Sequence, residues 1–327
     1  MAARPVIGVG IPVWRGAAFV AETIESVLRQ RGVSLAVFIS IDGADDDSAQ
    51  ACRPFSSDPH VRMVVRTERL GWVGNTAAVL AAALAAGVDY AAVMPHDDLI
   101  EDDYFAELLD LAEANPAAAV TYCDLRGFGT SDRLVSQPSV IGTPSDRSLT
   151  LLRDHFNAVA YRGLTRASVL RAVPAMAGNP FDDFAADTVW MARLARAGDL
   201  VRMPRVLYRK RFHEGATHAI WSKWPESRKL QAWLRHCLDM LAEGLASTTD
   251  PHARHRLHAA ARARLIQDGC TVCPYRRKIL AMTPAARERM IGAFEAAALL
   301  LERGERGLTA PRPRSPRAKI PRAPAGR

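Results

Sequence analysis

The pair Asp97-Asp98 closes an apolar run at residues 90–94, just after Pro95 and His96. Two neighbouring carboxylates at a strand end repel each other, and a hard divalent cation with oxygen ligands relieves that repulsion. A metal held there can bridge a diphosphate and neutralise charge as a leaving group departs. A structural reading competes with this one. Glu101, Asp102 and Asp103 follow directly, and acids gather at helix N-termini, where they complement the helix dipole. Two more carboxylates sit at comparable boundaries. Asp42 ends the apolar run at 35–41, and Asp187 opens a helical pattern at 187–197. A carboxylate at such a place can take the proton from a weak nucleophile such as a hydroxyl, or it can simply cap the helix.

These residues need a scaffold that brings them together. Residues 6–13 read as a buried strand. Residues 17–31 carry Val20, Ile24, Val27 and Leu28 on one helical face. Strands follow at 35–41 and 61–65, a helix at 75–86 and a strand at 90–94. A helix capped by Asp102 or Asp103 runs to Asn115-Pro116, and a strand occupies 118–122. This alternation predicts a mostly parallel sheet flanked by helices. Such sheets bind ligands at the carboxyl ends of their strands. Strand one ends in Pro12-Val13-Trp14-Arg15, strand two in Asp42-Gly43 and strand four in His96-Asp97-Asp98, so the topology gathers all three on one rim. Residues 149–211 remain globular, with helical patterns at 165–173 and 187–197 and a strand at 200–208. Beyond Trp224 the pattern is helical at 226–246, 251–267 and 284–303.

Bulk properties narrow the classes. The chain has 327 residues and a net charge of +8. From Gly307 onward Arg312, Arg314, Arg317, Lys319, Arg322 and Arg327 stand without an acid, so the tail supplies six of the eight charges. That argues against a nucleic-acid partner and for a disordered basic tail at 307–327, able to touch anionic lipid. Five scattered cysteines give no disulfide framework, and Cys270-Thr271-Val272-Cys273 lacks the second pair that zinc requires. No signal peptide and no membrane span are read from the sequence. The expected location is the cytoplasm, with peripheral contact at the inner face of the membrane. Gly8-Val9-Gly10 falls inside a strand with no third glycine in register, which argues against a dinucleotide fold.

Four motifs, in order, resemble those of family 2 glycosyltransferases with the GT-A fold. They are Ile11-Pro12-Val13-Trp14-Arg15, Ile41-Asp42-Gly43-Ala44 with the acids that follow, Arg69-Leu70-Gly71-Trp72-Val73-Gly74-Asn75, and Pro95-His96-Asp97-Asp98. A fifth run, Ala186-Asp187-Thr188-Val189-Trp190, is similar to the family's acceptor-side helix start. The resemblance runs from about Val6 to His218. It implies a GT-A domain over 1–220, with a nucleotide-sugar half at 1–125 and an acceptor half at 126–220. A helical subdomain follows at 221–306.

The resemblance also implies roles. Asp42 hydrogen-bonds the base. Pro12 and Trp14 line the nucleotide pocket. Asn75 belongs to the donor-site motif, Arg15 and Arg69 either contact the diphosphate or stay solvated at the surface, Asp97 binds Mn²⁺ or Mg²⁺ and Asp98 assists it. Asp187 serves as general base, with Asp182 and Asp183 as nearby competitors. His213 joins the metal, since imidazole suits Mn²⁺ better than Mg²⁺; His218 is its neighbour, and His96 is a bystander. The partners implied are a nucleotide-sugar donor, a UDP-sugar, and a carbohydrate or lipid-linked acceptor, the products being cell-envelope glycans or polysaccharides. Two departures stand out: Pro95 replaces the first acid of the usual D-x-D, and Ala186 replaces a glutamate beside the base. They leave open a non-catalytic sugar-nucleotide-binding or scaffold protein. A sugar-phosphate nucleotidyltransferase would want a Gly-rich basic loop where Val13-Trp14-Arg15-Gly16 stands.

Overall fold

The computed structural model describes residues 4–43, 46–214, 221–266 and 273–303. Ala44, Asp45, His218, Cys270 and the basic tail lie outside the described residues.

The chain alternates as the hydrophobic pattern demands. β1 (Val6–Val13) leads to α1 (Val20–Leu28), β2 (Ser34–Asp42), α2 (Ser48–Cys52), β3 (Val61–Arg66), α3 (Gly71–Ala85) and β4 (Tyr90–Val93). β5 (Leu99–Ile100), α4 (Tyr104–Ala114), β6 (Ala118–Gly129), β7 (Leu134–Val135), α5 (Pro144–Asp154), β8 (Leu164–Arg166), α6 (Ala167–Ala172), α7 (Ala186–Ala197) and β9 (Asp199–Phe212) follow. Four more helices complete the described chain: α8 (Glu226–Leu245), α9 (Pro251–Ile266), α10 (Arg276–Leu280) and α11 (Pro284–Glu302).

All nine strands form one sheet in the order β3-β2-β1-β4-β8-β6-β9-β5, with β7 beside β6. β1 to β4, β6 and β9 share one direction, while β5, β7 and β8 run against them. The sheet is therefore mostly parallel, as the alternation predicts.

Gly8 and Gly10 have a packing reason. A Cβ on Gly10 would stand 2.6 Å from Val79 Cγ2, and one on Gly8 would stand 2.8 Å from Ala83 Cβ. The bare backbone of β1 lets the Ala-rich α3 lie directly on the sheet. β6 and β9 reach further than their apolar stretches suggest. They pair in parallel from Ala118↔Asp199 to Gly129↔Phe212, across register shifts near Cys123 and Asp124. α5 is missing from the periodicity although its start is signalled, with Thr143 as N-cap accepting from Asp146 N and Pro144 in the first turn. Its buried Arg147 breaks the apolar stripe.

The C-terminal helices are fastened to the sheet domain by a charge. Arg264 of α9 is fully buried. Its guanidinium donates to Leu151 O and Leu152 O at the end of α5 and to His155 O, and it meets His236 Nε2 at 2.9 Å. Those carbonyls are the ones a helix end leaves unsatisfied, and a cation there also complements the dipole.

The neighbouring imidazoles stay neutral. Burial, then the Arg264 charge, pushes His155 down to about 4 and His236 well below its ordinary value. The unfolded chain takes up a proton on His155 near 6.5, whereas the folded chain resists until about 4. Stability is therefore full above pH 6.5 and falls as pH drops through that window, by on the order of 3 kcal/mol at pH 4 from His155 alone. Urea midpoints measured from pH 7 to pH 4 should fall steeply, and His155→Asn should make the slope shallower. A flat midpoint across that range would contradict this account.

Candidate functional site

The turn after β4 is held from several sides. Pro95 O accepts from Asp98 N at 3.2 Å. Thr23 Oγ1 of α1 lies 2.9 Å from both His96 O and Asp98 O. Arg211 of β9 donates its backbone N–H to Asp98 Oδ1 and its Nε–H to Asp97 O, and reaches Glu22 Oε2 at 2.8 Å. Its guanidinium also lies over Phe19 and Phe128. His96 turns inward, with Nδ1 3.2 Å from Pro12 O. It packs so tightly on Gly16 that a Cβ there would meet its Cδ2 at 2.5 Å.

The two carboxylates of the turn have different surroundings. Asp97 remains at the surface of the rim, and its Oδ2 lies 2.9 Å from His213 Nε2. Asp98 is 1% exposed. It accepts from Arg162 Nε at 3.1 Å, from Tyr208 OH at 2.7 Å and from Arg211 N at 2.8 Å. Burial pushes the Asp98 carboxyl up, against the pull of the Arg162 guanidinium. Asp98, expected from the resemblance to assist the metal, is met here by three donors from within the protein. Tyr104 completes this cluster by donating to Arg162 O and packing edge-on against Tyr208.

Asp42, Trp14 and Arg69 meet at the ends of β1 and β2. Asp42 is 1% exposed and accepts from Leu70 N and Gly71 N at 2.6 and 2.9 Å. It thereby fixes the loop that starts α3. The Arg69 guanidinium stands 3.8 Å from the Trp14 ring centre and Arg15 stands 5.0 Å away, with Arg15 at φ 50°. Pro12 is partly exposed beside them. Asn75 lies buried beneath the rim, donating to Ser40 O at 2.9 Å and to Val13 O at 3.4 Å, and so ties α3 to the strand ends.

Asp187 stands at the start of α7, after a turn in which Asp182, Asp183 and Ala185 all have positive φ (44°, 58° and 53°). Left-handed backbone is costly for residues with a Cβ, and such strain persists only where the surroundings enforce it. Asn179 and Phe184 supply that enforcement. Asn179 N donates to Asp183 Oδ1, Asn179 Nδ2 donates to Phe184 O, and Phe184 packs on Trp221. The competing acids are thereby occupied elsewhere, since Asp182 pairs with Arg228 at 2.9 Å. Asp187 Oδ1 accepts from Thr188 N at 2.9 Å, while Thr188 Oγ1 donates to Phe156 O. Asp187 opens into a small cleft whose walls include Phe156, Arg162, Thr188, Lys210 and Trp221. Burial raises the Asp187 carboxyl, and the Arg162 guanidinium and the Thr188 N–H pull it back. Burial, then repulsion from Arg162, brings Lys210 down to about 8.

Arg162, Tyr208 and Lys210 escape sequence reasoning. Arg162 stands in an unremarkable Tyr161-Arg162-Gly163 context. The signal for the other two is the period of 2 through β9, which places Tyr208, Lys210 and Phe212 on one face and Arg209 and Arg211 on the other.

A mostly parallel sheet with a carboxylate turn after its fourth strand and a carboxylate-bearing cleft in its second half is the architecture of nucleotide-diphosphosugar transferases, the GT-A fold. Residues 8–171, half of the chain, match the model of "Glycosyl transferase family 2", and the protein belongs to that family of glycosyltransferases. One curated relative, the uncharacterized protein y4gI of Sinorhizobium fredii, is 32% identical over 123 residues, which are 37% of this chain and only 13% of that protein. Among solved structures, TarS 1-349 of S. aureus in complex with UDP is similar with a TM-score of 0.54 at 12% identity, covering 91% of each chain. The mannosyltransferase PcManGT of Pyrobaculum calidifontis in complex with GDP-Man and Mn²⁺ gives 0.51 at 18% identity, covering 92% of this chain and 88% of its own. At these identities the likeness is one of fold. No helix among the described residues is long and apolar enough to cross a membrane.

Proposed function

We propose that the protein transfers a sugar, with inversion, from a nucleotide-diphosphate donor to an acceptor hydroxyl, and that Asp187 is the general base. The observation that carries this reading is the pairing of two sites through one buried ion pair. Asp97 and His213 face the rim, Asp187 faces the cleft, and Arg162–Asp98 lies between them. A nucleotide base belongs at Pro12, Trp14 and Arg69, on the loop fixed by Asp42. The remaining lone pairs of Asp42 are its contact with the base. A UDP-sugar donor is in keeping with the UDP and UDP-GlcNAc complexes of TarS.

Asp97 and His213 fit a divalent ion. Their 2.9 Å separation is that of neighbouring ligands on an ion with bonds of about 2.1 Å, which lie about 3 Å apart. One carboxylate oxygen and one imidazole nitrogen favour Mn²⁺ over Mg²⁺. No group of three or more His, Cys, Asp or Glu gathers among the described residues, so an ion held by Asp97 and His213 would need further ligands from the donor and from water. When bound, the ion neutralises the charge that builds on the departing diphosphate. The chain's own residues do the rest. Asp187, desolvated and raised, removes the acceptor proton from the face opposite the diphosphate. Arg162 holds Asp98 by an ion pair and attracts Asp187 from further away. Phe156 and Trp221 exclude water from the cleft.

A thermal-shift panel of nucleotides tests the reading. UDP or a UDP-sugar with Mn²⁺ should raise the unfolding midpoint, by about 2.7 kcal/mol of stability at roughly 100 times the Kd. EDTA, Asp97→Ala and His213→Ala should each remove the Mn²⁺-dependent part. Shifts indifferent to EDTA and to both substitutions would overturn the metal assignment.

A further inference from the structure

We propose that the Asp187 cleft accepts a substrate that carries an oxyanion, a phosphate or a carboxylate, close to the hydroxyl to be glycosylated, with Lys210 and Arg133 as its docking cations. This inference rests on the transferase reading and specifies its acceptor.

The first observation is the charge of the wall. The ionisable residues lining the cleft are Arg133, Arg162, Lys210 and Asp187. Arg162 is matched by Asp98 at 3.1 Å. Among the described residues, no carboxylate lies within 4 Å of Lys210 or Arg133. These two cations are nevertheless held together. Lys210 Nζ stands 5.3 Å, and the Arg133 guanidinium 4.8 Å, from the centre of the same Phe212 ring. Two like charges sharing one aromatic ring repel each other, and the ring compensates each only modestly. Asp98 and Asp187 attract Lys210 only from beyond ion-pair distance, and an anion placed between the two cations would accept charge-assisted hydrogen bonds from both.

The second observation locates the anion's source. Every residue lining the cleft comes from Leu125 to Trp221, whereas the groups assigned to the nucleotide lie at Pro12, Trp14, Asp42 and Arg69. None of the cleft's lining residues comes from the first four strands or the loops that follow them. The donor diphosphate belongs at Asp97 and His213, on the rim. The apolar wall of Leu125, Val135, Phe156 and Trp221 suits the carbon skeleton of a polyol or sugar next to its charged group.

The test uses the full chain, saturated with UDP and Mn²⁺, and three small probes: glycerol, glycerate and glycerol 3-phosphate. Calorimetric titration should show glycerol 3-phosphate or glycerate binding at least about tenfold tighter than glycerol. The tighter of the two anions names the group. Arg133→Gln and Lys210→Gln should each reduce that preference at least roughly fivefold, and Arg133→Lys should restore most of it. Raising KCl from about 0.05 to 0.5 M should weaken anion binding and leave glycerol unaffected. Equal binding of the three probes would overturn the proposal. So would glycerol 3-phosphate binding that UDP displaces and that Arg133→Gln leaves unchanged, since the anion would then occupy the donor's own site. If UDP with Mn²⁺ fails to bind while glycerol 3-phosphate binds at Lys210 and Arg133, the transferase reading fails and the anion site stands.

Discussion

Asp187→Asn should lower kcat by about 10²- to 10⁴-fold, the usual contribution of a general base, while leaving UDP binding and the unfolding midpoint close to wild type. The reason lies in what asparagine keeps. Its side-chain oxygen still accepts from Thr188 N at the start of α7, the bond Asp187 makes at 2.9 Å, so the helix start survives. What disappears is a basic oxygen in a cleft that raises its affinity for protons. Burial pushes the Asp187 carboxyl above the ordinary carboxylate range even with Arg162 pulling it back. The acid limb of kcat/KM should therefore lie above that range and vanish in the variant. A folded Asp187→Asn protein with near-wild-type turnover would remove Asp187 from the mechanism. The turn at 182–185 would then be strain without a catalytic purpose.

Asp98→Ala should lower stability by about 3–5 kcal/mol, the cost of leaving a buried charge without its partner, against a total of about 5–15 kcal/mol for a typical domain. The substitution strands the Arg162 guanidinium, the Tyr208 hydroxyl and the Arg211 backbone N–H together. Asp98→Leu combined with Arg162→Met should be milder than Asp98→Ala alone, because an apolar pair leaves no orphaned charge. Urea unfolding of the three proteins separates this account from a ligand role. Were Asp98 mainly a ligand for donor or metal, Asp98→Ala would keep its unfolding midpoint and lose only UDP affinity.

Sequence reasoning reaches the first half of the fold because that half obeys one rule per element. β1 is found at residues 6–13 and β4 within a residue of its observed end, since buried parallel strands are continuous apolar runs. Elsewhere the rule is masked by side chains whose partners are remote. β9 extends to Phe212 through Arg209-Lys210-Arg211, which in isolation reads as a solvated charge run. Its pairing with β6 and β5, and the aromatic rings of Phe128 and Phe212, make it a strand. α5 hides behind a buried arginine for the same reason. Of the proposed site, Asp97, His213 and Asp187 can be singled out from the sequence because each stands in a local motif. The division of labour between Asp97 and Asp98 cannot, because it depends on Arg162 and Tyr208, which lie 64 and 110 residues further along the chain. Asn75 illustrates the converse: its motif is legible in the sequence, but the bonds that tie α3 to Ser40 O and Val13 O are not.

The Arg264 contact bears on how the two parts of the chain depend on each other. The stretch that marks the family ends at residue 171, yet the carbonyls closing α5 depend on a guanidinium delivered from α9. α5 packs against α7, whose first turn carries Asp187. The C-terminal helices therefore act on the second half of the sheet through backbone carbonyls rather than side chains. Removing them would take a cation from the end of α5 and loosen the support that α5 gives α7.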